Sequence, residues 1–241
     1  MISISIVIPA YNEEQRLPST LEAVQSYLKR RCYSFTEILV VDDGSADRTA
    51  ELVERLASAT PQVRLLRNPG NRGKGYSIRQ GMLAARGEWI LFTDADLSAP
   101  IEELDKLLDV VREGDADIAI GSRALDPSLI GAHQSWMREQ AGRFFNLLMR
   151  LVTGLPILDT QCGFKLYKAE AARQVFARQH LDGFGFDVED LYIARCLGLR
   201  AVEVPVRWSH AEGTRVRLTS GGEAFLDLLR IRWNALAGKY K

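Results

Sequence analysis

Short runs of β-branched and aliphatic residues alternate with longer amphipathic stretches through the N-terminal half of the chain. Ile2 to Ile8 is dense in isoleucine and valine and predicts a buried strand. Pro18 to Arg30 spaces its apolar positions with helical period, Glu37 to Val41 predicts a second strand, and Arg48 to Ser58 a second helix. The pattern repeats: Val63 to Leu66 strand, Tyr76 to Ala85 helix, Trp89 to Thr93 strand, Ile101 to Arg112 helix, Asp117 to Ile120 strand. Strands separated by helices of this length predict an α/β fold, a mostly parallel sheet covered on both faces. The second half is less regular. It predicts a long helix over Ser135 to Thr153, a strand at Gly163 to Tyr167, a helix at Val188 to Leu197, a strand at Ala201 to Trp208, and a closing helix at Phe225 to Ala237.

Polar residues gather where the predicted strands end. Ligands of open α/β sheets bind outside the carboxyl ends of the strands. Pro9 to Glu14, Asp42 to Ser45, Asn68 to Gly75 and Asp94 to Asp96 are therefore expected to converge on one crevice. Asp94 and Asp96, one residue apart after a strand, suit a hard divalent cation that takes few protein carboxylates and completes its shell with water and phosphate. Taken alone they also suit a solvated turn. Asp42-Asp43-Gly44-Ser45 can accept hydrogen bonds from a base or a ribose, or serve as a turn that caps the next helix. Pro9-Ala10-Tyr11-Asn12-Glu13-Glu14 reads equally as a helix entrance with Asn12 as cap. Asn71-Arg72-Gly73-Lys74-Gly75 opens a helix, where outward-facing N–H groups and the dipole suit an anion. Its spacing is neither that of a P-loop nor that of a dinucleotide fingerprint.

Composition narrows the classes. The chain has 241 residues, of which 46% are hydrophobic and 26% charged, enough for one large α/β domain. Its formal net charge is zero, which argues against a general nucleic-acid binder. The three cysteines, Cys32, Cys162 and Cys196, lie far apart with no C-x-x-C pair, so a reducing compartment is expected over a disulfide framework or zinc site. Ile2 to Pro9 lacks a basic leader and a cleavage-type tail, so it reads as a strand and not as a signal peptide. No run of eighteen apolar residues predicts a membrane-spanning helix. His133, His180 and His210 show no ligand spacing and receive no role.

The order and spacing of Ile8-Pro9-Ala10-Tyr11-Asn12-Glu13-Glu14, Val41-Asp42-Asp43-Gly44-Ser45 and Asp94-Ala95-Asp96 resemble family 2 glycosyltransferases of the GT-A fold, over nearly the whole chain. Asn71 to Gly75, Ile120-Gly121-Ser122-Arg123, Asp159 to Leu166, Phe186 to Glu189 and the closing stretch from Glu212 to Arg230 resemble the dolichyl-phosphate β-glucosyltransferase branch. Asp190 departs from it, standing where an apolar residue is usual.

The resemblance implies one GT-A domain, with residues 1–123 as the nucleotide-sugar half and 124–241 as the acceptor and interfacial half. It implies an inverting transfer of glucose from UDP-glucose to a polyprenyl (dolichyl-type) phosphate, with Mg2+ or Mn2+. Pro9, Tyr11, Glu13, Asp42, Asp43, Lys74, Asp94, Ala95 and Arg215 would hold the donor, and Asp94 and Asp96 the metal. Asp96, Arg123 and Asp159 would be catalytic, while Arg123, Arg138 and Lys165 would meet the acceptor phosphate. Read from its own position, Asp159 could orient Lys165 or Arg138, contact a sugar hydroxyl, or serve as a cap at the start of a strand. The implied place is the cytoplasm, peripheral on the cytoplasmic face of a membrane, with a membrane protein or a second copy as partner and no nucleic acid.

Two segments are candidates for the membrane surface, Ser135 to Thr153 and Phe225 to Lys241, each mixing aromatic, aliphatic and basic residues; each suits core packing as well. A GDP-mannose or UDP-N-acetylhexosamine donor keeps the same fold. A sugar nucleotidyltransferase would want a glycine-rich, arginine-containing loop after the first strand, where this chain has Tyr11-Asn12-Glu13-Glu14, and a non-catalytic nucleotide-sugar-binding subunit should have lost a metal aspartate or Arg123.

Overall fold

The computed structural model describes residues 2–114, 116–131, 146–210 and 220–241. The expected alternation is present as β1 (Ser3–Ala10), α1 (Leu17–Lys29), β2 (Phe35–Asp42), α2 (Thr49–Ala59), β3 (Val63–Arg67), α3 (Lys74–Ala84), β4 (Trp89–Thr93), α4 (Leu104–Glu113) and β5 (Ile118–Ser122). A helical stretch over 146–153 (α5) follows, then β6 (Phe164–Lys168), α6 (Ala169–Phe176), α7 (Phe186–Cys196), β7 (Ala201–Pro205) and α8 (Ser220–Leu236). The helix expected over Ile101 to Arg112 begins as a 3-10 turn at Ile101–Glu103. Helix α6 was not anticipated. It is only eight residues long, too short for a clear period, and its core face is mostly alanine.

All seven strands join one sheet in the order β3-β2-β1-β4-β6-β5-β7. Strand β6 alone runs against its neighbours; β1, β2, β3 and β4 are parallel, as are β5 and β7. The reversal decides what reaches the crevice. Phe164, the first residue of β6, lies opposite Thr93, the last of β4. The segment that enters β6, residues 159–163, is thereby delivered to the carboxyl edge of the parallel strands.

Side chains alternate across the sheet. Ile4, Ile6 and Ile8 of β1 join one core layer with Leu21 and Val24 of α1 and Leu104 and Leu107 of α4. Val7 joins the other, with Ile78 and Met82 of α3, Met149 of α5 and Leu228 and Ile231 of α8. Both layers are built chiefly of buried apolar side chains, which fits strands that read as continuous apolar runs.

Helix α3 lies close against the sheet. A Cβ at Gly81 would stand 2.3 Å from Cγ1 of Val7 and 3.0 Å from Cγ2 of Val41. Alanine is worth about 1 kcal/mol more than glycine in a helix interior, but β-branched valines on a buried strand have little room to turn aside. Overpacking costs about 1–3 kcal/mol. Gly81→Ala is therefore expected to destabilise by about 1–2 kcal/mol and to lower Tm by roughly 2–8 °C. A raised Tm in a calorimetric scan would show that helix propensity outweighs the clash.

Candidate functional site

The first wall of the crevice is a latch between two strand ends. Asn12 sits at φ 55° just after β1, a left-handed conformation that asparagine tolerates. Its Oδ1 accepts from the Ala46 N–H at 2.7 Å, and its own N–H donates to Ser45 Oγ at 2.8 Å. The Glu13 N–H donates to Thr49 Oγ1 at 2.7 Å. Asn12 is thus a brace across the β1 and β2 ends. The carboxylate of Glu13 grips Arg16 through two hydrogen bonds of 2.7 and 2.6 Å, and both side chains line the crevice.

The glycine-rich loop before α3 is arranged differently from expectation. Two of its N–H groups are turned inward and do not face an external anion. Arg72 and Gly73 donate theirs to Oδ1 and Oδ2 of Asp43, each at 2.9 Å, and Asn68 Nδ2 donates to Oδ1 at 2.8 Å. The Tyr76 N–H goes to the carbonyl of Asp182 at 3.1 Å. Gly73 has φ 103°, and a Cβ there would meet that same carbonyl oxygen at 2.4 Å, so no other residue fits. The loop offers the crevice a cation, Lys74, whose Nζ rests 2.7 Å from Asp94 Oδ1. Burial disfavours its charge, but Asp94, with Asp187 beyond it, outweighs that and holds the ammonium above its usual pKa.

Asp94 and Asp96 both line the crevice directly after β4. The Ser98 N–H donates to Asp96 Oδ1 at 3.0 Å, and Leu97 between them takes φ 45°, uncommon for a branched side chain and a local strain. Gly163 lets Asp94 lie against the chain entering β6: a Cβ there would be 2.2 Å from Oδ2. Two carboxylates on one crevice wall fit a hard divalent cation that draws its other ligands from water and substrate phosphate. Among the described residues no third His, Cys, Asp or Glu completes a protein cage.

Arg123 follows β5 and lines the same crevice. Asp159 holds it from behind. Nε and Nη2 of Arg123 each lie 2.7 Å from a carboxylate oxygen, and the Arg123 N–H donates at 2.9 Å. The guanidinium also lies 5.3 Å from the centre of the Trp208 ring. Burial works against the charge of Asp159, but the Arg123 guanidinium prevails and holds the carboxyl below its usual pKa. The N–H groups of Leu158 and Asp159 are tied in turn to Glu203 at 2.8 and 2.9 Å.

Pro9, Tyr11, Glu13, Asp43, Lys74, Asp94, Ala95, Asp96 and Arg123 accordingly share one cleft of about 750 Å3. The four strand-end segments converge as expected. Asp159 does not orient Lys165 or face the cleft; it is buried behind Arg123 and orients that residue. Asp42 is also buried behind the wall, close to the Ser45 N–H.

Lys165 requires a larger correction. It has no exposed surface and does not line the cleft. Its Nζ is 2.6 Å from Asp187 Oδ1 and 3.4 Å from Asp190 Oδ2, with the rings of Phe92 and Phe186 beside it. It points from β6 into the core layer under α7 and cannot touch an acceptor phosphate in this arrangement. Asp190, the departure from the branch pattern, is held there by Tyr167 Oη at 2.7 Å; burial, with Asp187 adding repulsion, pushes its carboxyl up to about 7 against the pull of Lys165. Arg138 and Arg215 lie outside the described residues.

Several cleft residues had no assigned role: Arg16, Gln161, Phe184, Trp208 and His210. Trp208 and His210 follow β7 at the same sheet edge, so the strand-end rule is the available signal, although His210 shows no ligand spacing.

The profile of Glycosyl transferase family 2 matches residues 5–176. Dolichyl-phosphate beta-glucosyltransferase ALG5D of Trichomonas vaginalis is 37% identical over 238 residues, covering 95% of this chain and 73% of that protein. Dolichyl-phosphate beta-glucosyltransferase of Dictyostelium discoideum is 35% identical over 253 residues, covering 100% and 77%. Among solved structures, glucosyl-3-phosphoglycerate synthase from Mycobacterium tuberculosis in complex with Mn2+, UDP and glucosyl-3-phosphoglycerate superposes with a TM-score of 0.68 at 20% identity, over 95% of this chain and 80% of that one. The fold is the GT-A fold.

Removing Lys165 would leave Asp187 and Asp190 uncompensated in the core. Breaking a buried ion pair on one side costs about 3–5 kcal/mol. Lys165→Met is therefore expected to lose that much in urea unfolding. Unchanged stability together with a raised KM for the acceptor would return Lys165 to the acceptor site.

Proposed function

The chain belongs to glycosyl transferase family 2, and on that footing we propose that it moves glucose from UDP-glucose, with inversion, onto a dolichyl-type polyprenyl phosphate. The observation that carries the reading is the cleft: paired carboxylates after β4 and a fixed arginine after β5 line one space large enough for a nucleotide sugar. Relatives at 35 and 37% identity carry the name dolichyl-phosphate beta-glucosyltransferase.

The chemistry follows from charge. A phosphate monoester has a second pKa of about 6 and is largely dianionic near neutral pH. It attacks the anomeric carbon without a strong general base. What the site must do is hold two anions together and in line. Arg123 is suited to this because its fork is already fixed by Asp159 and needs little reorganisation to face a phosphate. Lys74 brings a second cation from the donor side. Asp94 and Asp96 would hold a divalent cation, Mg2+ or Mn2+. A bound divalent cation neutralises charge on the departing diphosphate. Pro9, Tyr11, Glu13 and Asp43 form the wall assigned to the nucleoside, with Asp43 working through the loop it holds. Arg138 and Arg215 complete the proposal as cations for the acceptor phosphate and for the donor diphosphate. Residues 1–123 then serve the nucleotide sugar and 124–241 the acceptor, within one domain.

The acceptor is a lipid, so the enzyme works at a membrane surface, peripheral on the cytoplasmic face. No described helix is long and apolar enough to cross a membrane.

Two measurements test the reading. EDTA is expected to abolish transfer, with Mg2+ or Mn2+ restoring it, and Asp96→Asn to cut turnover by about a hundredfold or more while the fold is kept. Full activity in that folded variant would remove the metal assignment. In calorimetry with metal present, UDP is expected to bind at least about tenfold, or 1.4 kcal/mol, more tightly than GDP. The reverse order would move the donor to GDP-mannose.

A further inference from the structure

Helix α8 is amphipathic in an unusual sense. Its polar and apolar residues do not sort simply into solvent and core. Leu228 and Ile231 face the core at 1% and 0% exposure. On the opposite side Leu226, Leu229, Trp233 and Leu236 recur at helical spacing and are 51%, 51%, 69% and 79% exposed. Core packing therefore explains one apolar side of the helix and leaves a second. Arg230 and Arg232 flank that second side, and Lys239 and Lys241 follow it; all four are exposed. Asp227 is the only acidic residue between 226 and 241; it is buried and bonded to Arg230 at 2.9 Å.

The stripe lies beside the site. Leu226, Leu229 and Trp233 form one wall of a groove of about 820 Å3 whose other wall is the loop at His180–Gly183. The next residue of that loop, Phe184, lines the donor cleft, and Gly73 abuts the Asp182 carbonyl. One loop thus separates the groove from the cleft.

We propose that the exposed face of α8 docks on an anionic lipid bilayer, seating its leucines and Trp233 among the lipid chains and its basic residues among the headgroups, with the cleft mouth at the bilayer surface beside it. This goes further than the transferase reading by fixing the face and orientation through which the enzyme meets a lipid acceptor, and it rests on that reading only for its purpose. Apolar side chains bordered by lysine and arginine match the headgroup boundary of an anionic membrane. A second copy of the same face would bring four cations against four, which does not favour a two-fold contact.

Flotation with phosphatidylcholine vesicles containing phosphatidylserine tests this. Wild type is expected to float, less so as salt screens the headgroups and less with phosphatidylcholine alone. Leu229→Ser/Trp233→Ser and Arg230→Gln/Arg232→Gln/Lys239→Gln/Lys241→Gln are each expected to reduce bound protein about tenfold or more. UDP titration reports whether each variant is folded; if one is not, Leu236→Ser, at the most exposed position of the stripe, takes its place. Wild type that stays unbound at low salt, or folded variants that float equally well, overturn the proposal. So does a wild-type dimer in light scattering that the Leu229→Ser/Trp233→Ser variant converts to monomer. A short, water-soluble prenyl phosphate separates the two ideas. Docking predicts that Leu229→Ser/Trp233→Ser glucosylates it like wild type while losing activity on the vesicle-borne acceptor. Wild type that floats but transfers sugar to neither acceptor would remove the transferase reading and leave the docking intact.

Discussion

The Lys74–Asp94 pair, 2.7 Å apart in the cleft lining, exposes the constraint on which this site depends. Parallel strands deliver their carboxyl ends to one edge, and here those ends carry acidic residues: Glu13 after β1, Asp43 after β2, Asp94 and Asp96 after β4. Such a concentration of negative charge repels itself and would repel a diphosphate. The chain answers by tying nearly every carboxylate to a partner. Glu13 has Arg16, Asp43 has the N–H groups of Arg72 and Gly73, and Asp94 has Lys74. Asp96 is the least tied, with one backbone N–H. A site organised this way keeps its shape before ligand arrives and leaves a cation-seeking group at its centre.

The same principle places Arg123. A guanidinium on a loop has many rotamers and would lose that freedom on meeting substrate. The two bonds from Asp159 remove it beforehand, and Glu203 on β7 fixes Asp159 by holding the backbone around it. Two adjoining parallel strands, β5 and β7, therefore position one charge, while β6 inserts between β4 and β5 and brings in Asp159. Ion pairs this well buried contribute little net stability, since desolvation offsets attraction. Their consequence here is geometric: a cation held at a fixed place on the cleft wall.

Most of the fold could be read from the sequence because strand and helix periods are local properties. Trp89–Thr93 was placed to the residue, and the other described strands to within three residues at either end. The direction of β6 could not be read, because a period of two looks the same in either direction. That single unknown hid the fate of two residues. With β6 reversed, Asp159 arrives beside Arg123, and Lys165 alternates to the face that packs on α7. A lysine inside an apolar strand invites a surface role from sequence. Its partners, Asp187 and Asp190, lie 22 and 25 residues further on, a separation that no local pattern reports. Trp208 and His210 follow a strand that the sequence does show, so the strand-end rule reaches them; that the end of β7, at the far end of the sheet order, shares the cleft with β1 comes from the three-dimensional sheet.

The buried network beneath the cleft links these observations. Lys165 bonds β6 to α7 through Asp187, whose charge also acts on Lys74 above it, and Tyr167 bonds the same strand to Asp190. The reversed strand is thus fastened at its middle while its first residues carry Gly163 against Asp94. A hydrocarbon core could hold β6 as firmly, but it would tolerate a shift along the strand more easily than a lysine with fixed carboxylate partners does. A slip of one residue would send Lys165 to the opposite core layer, among Leu21 and Leu104, without a counter-charge. The penalty for that slip is much larger than any difference in apolar packing. The register of β6, and with it the meeting of Asp94, Arg123 and Asp159, is therefore enforced by a charge that never touches the substrate.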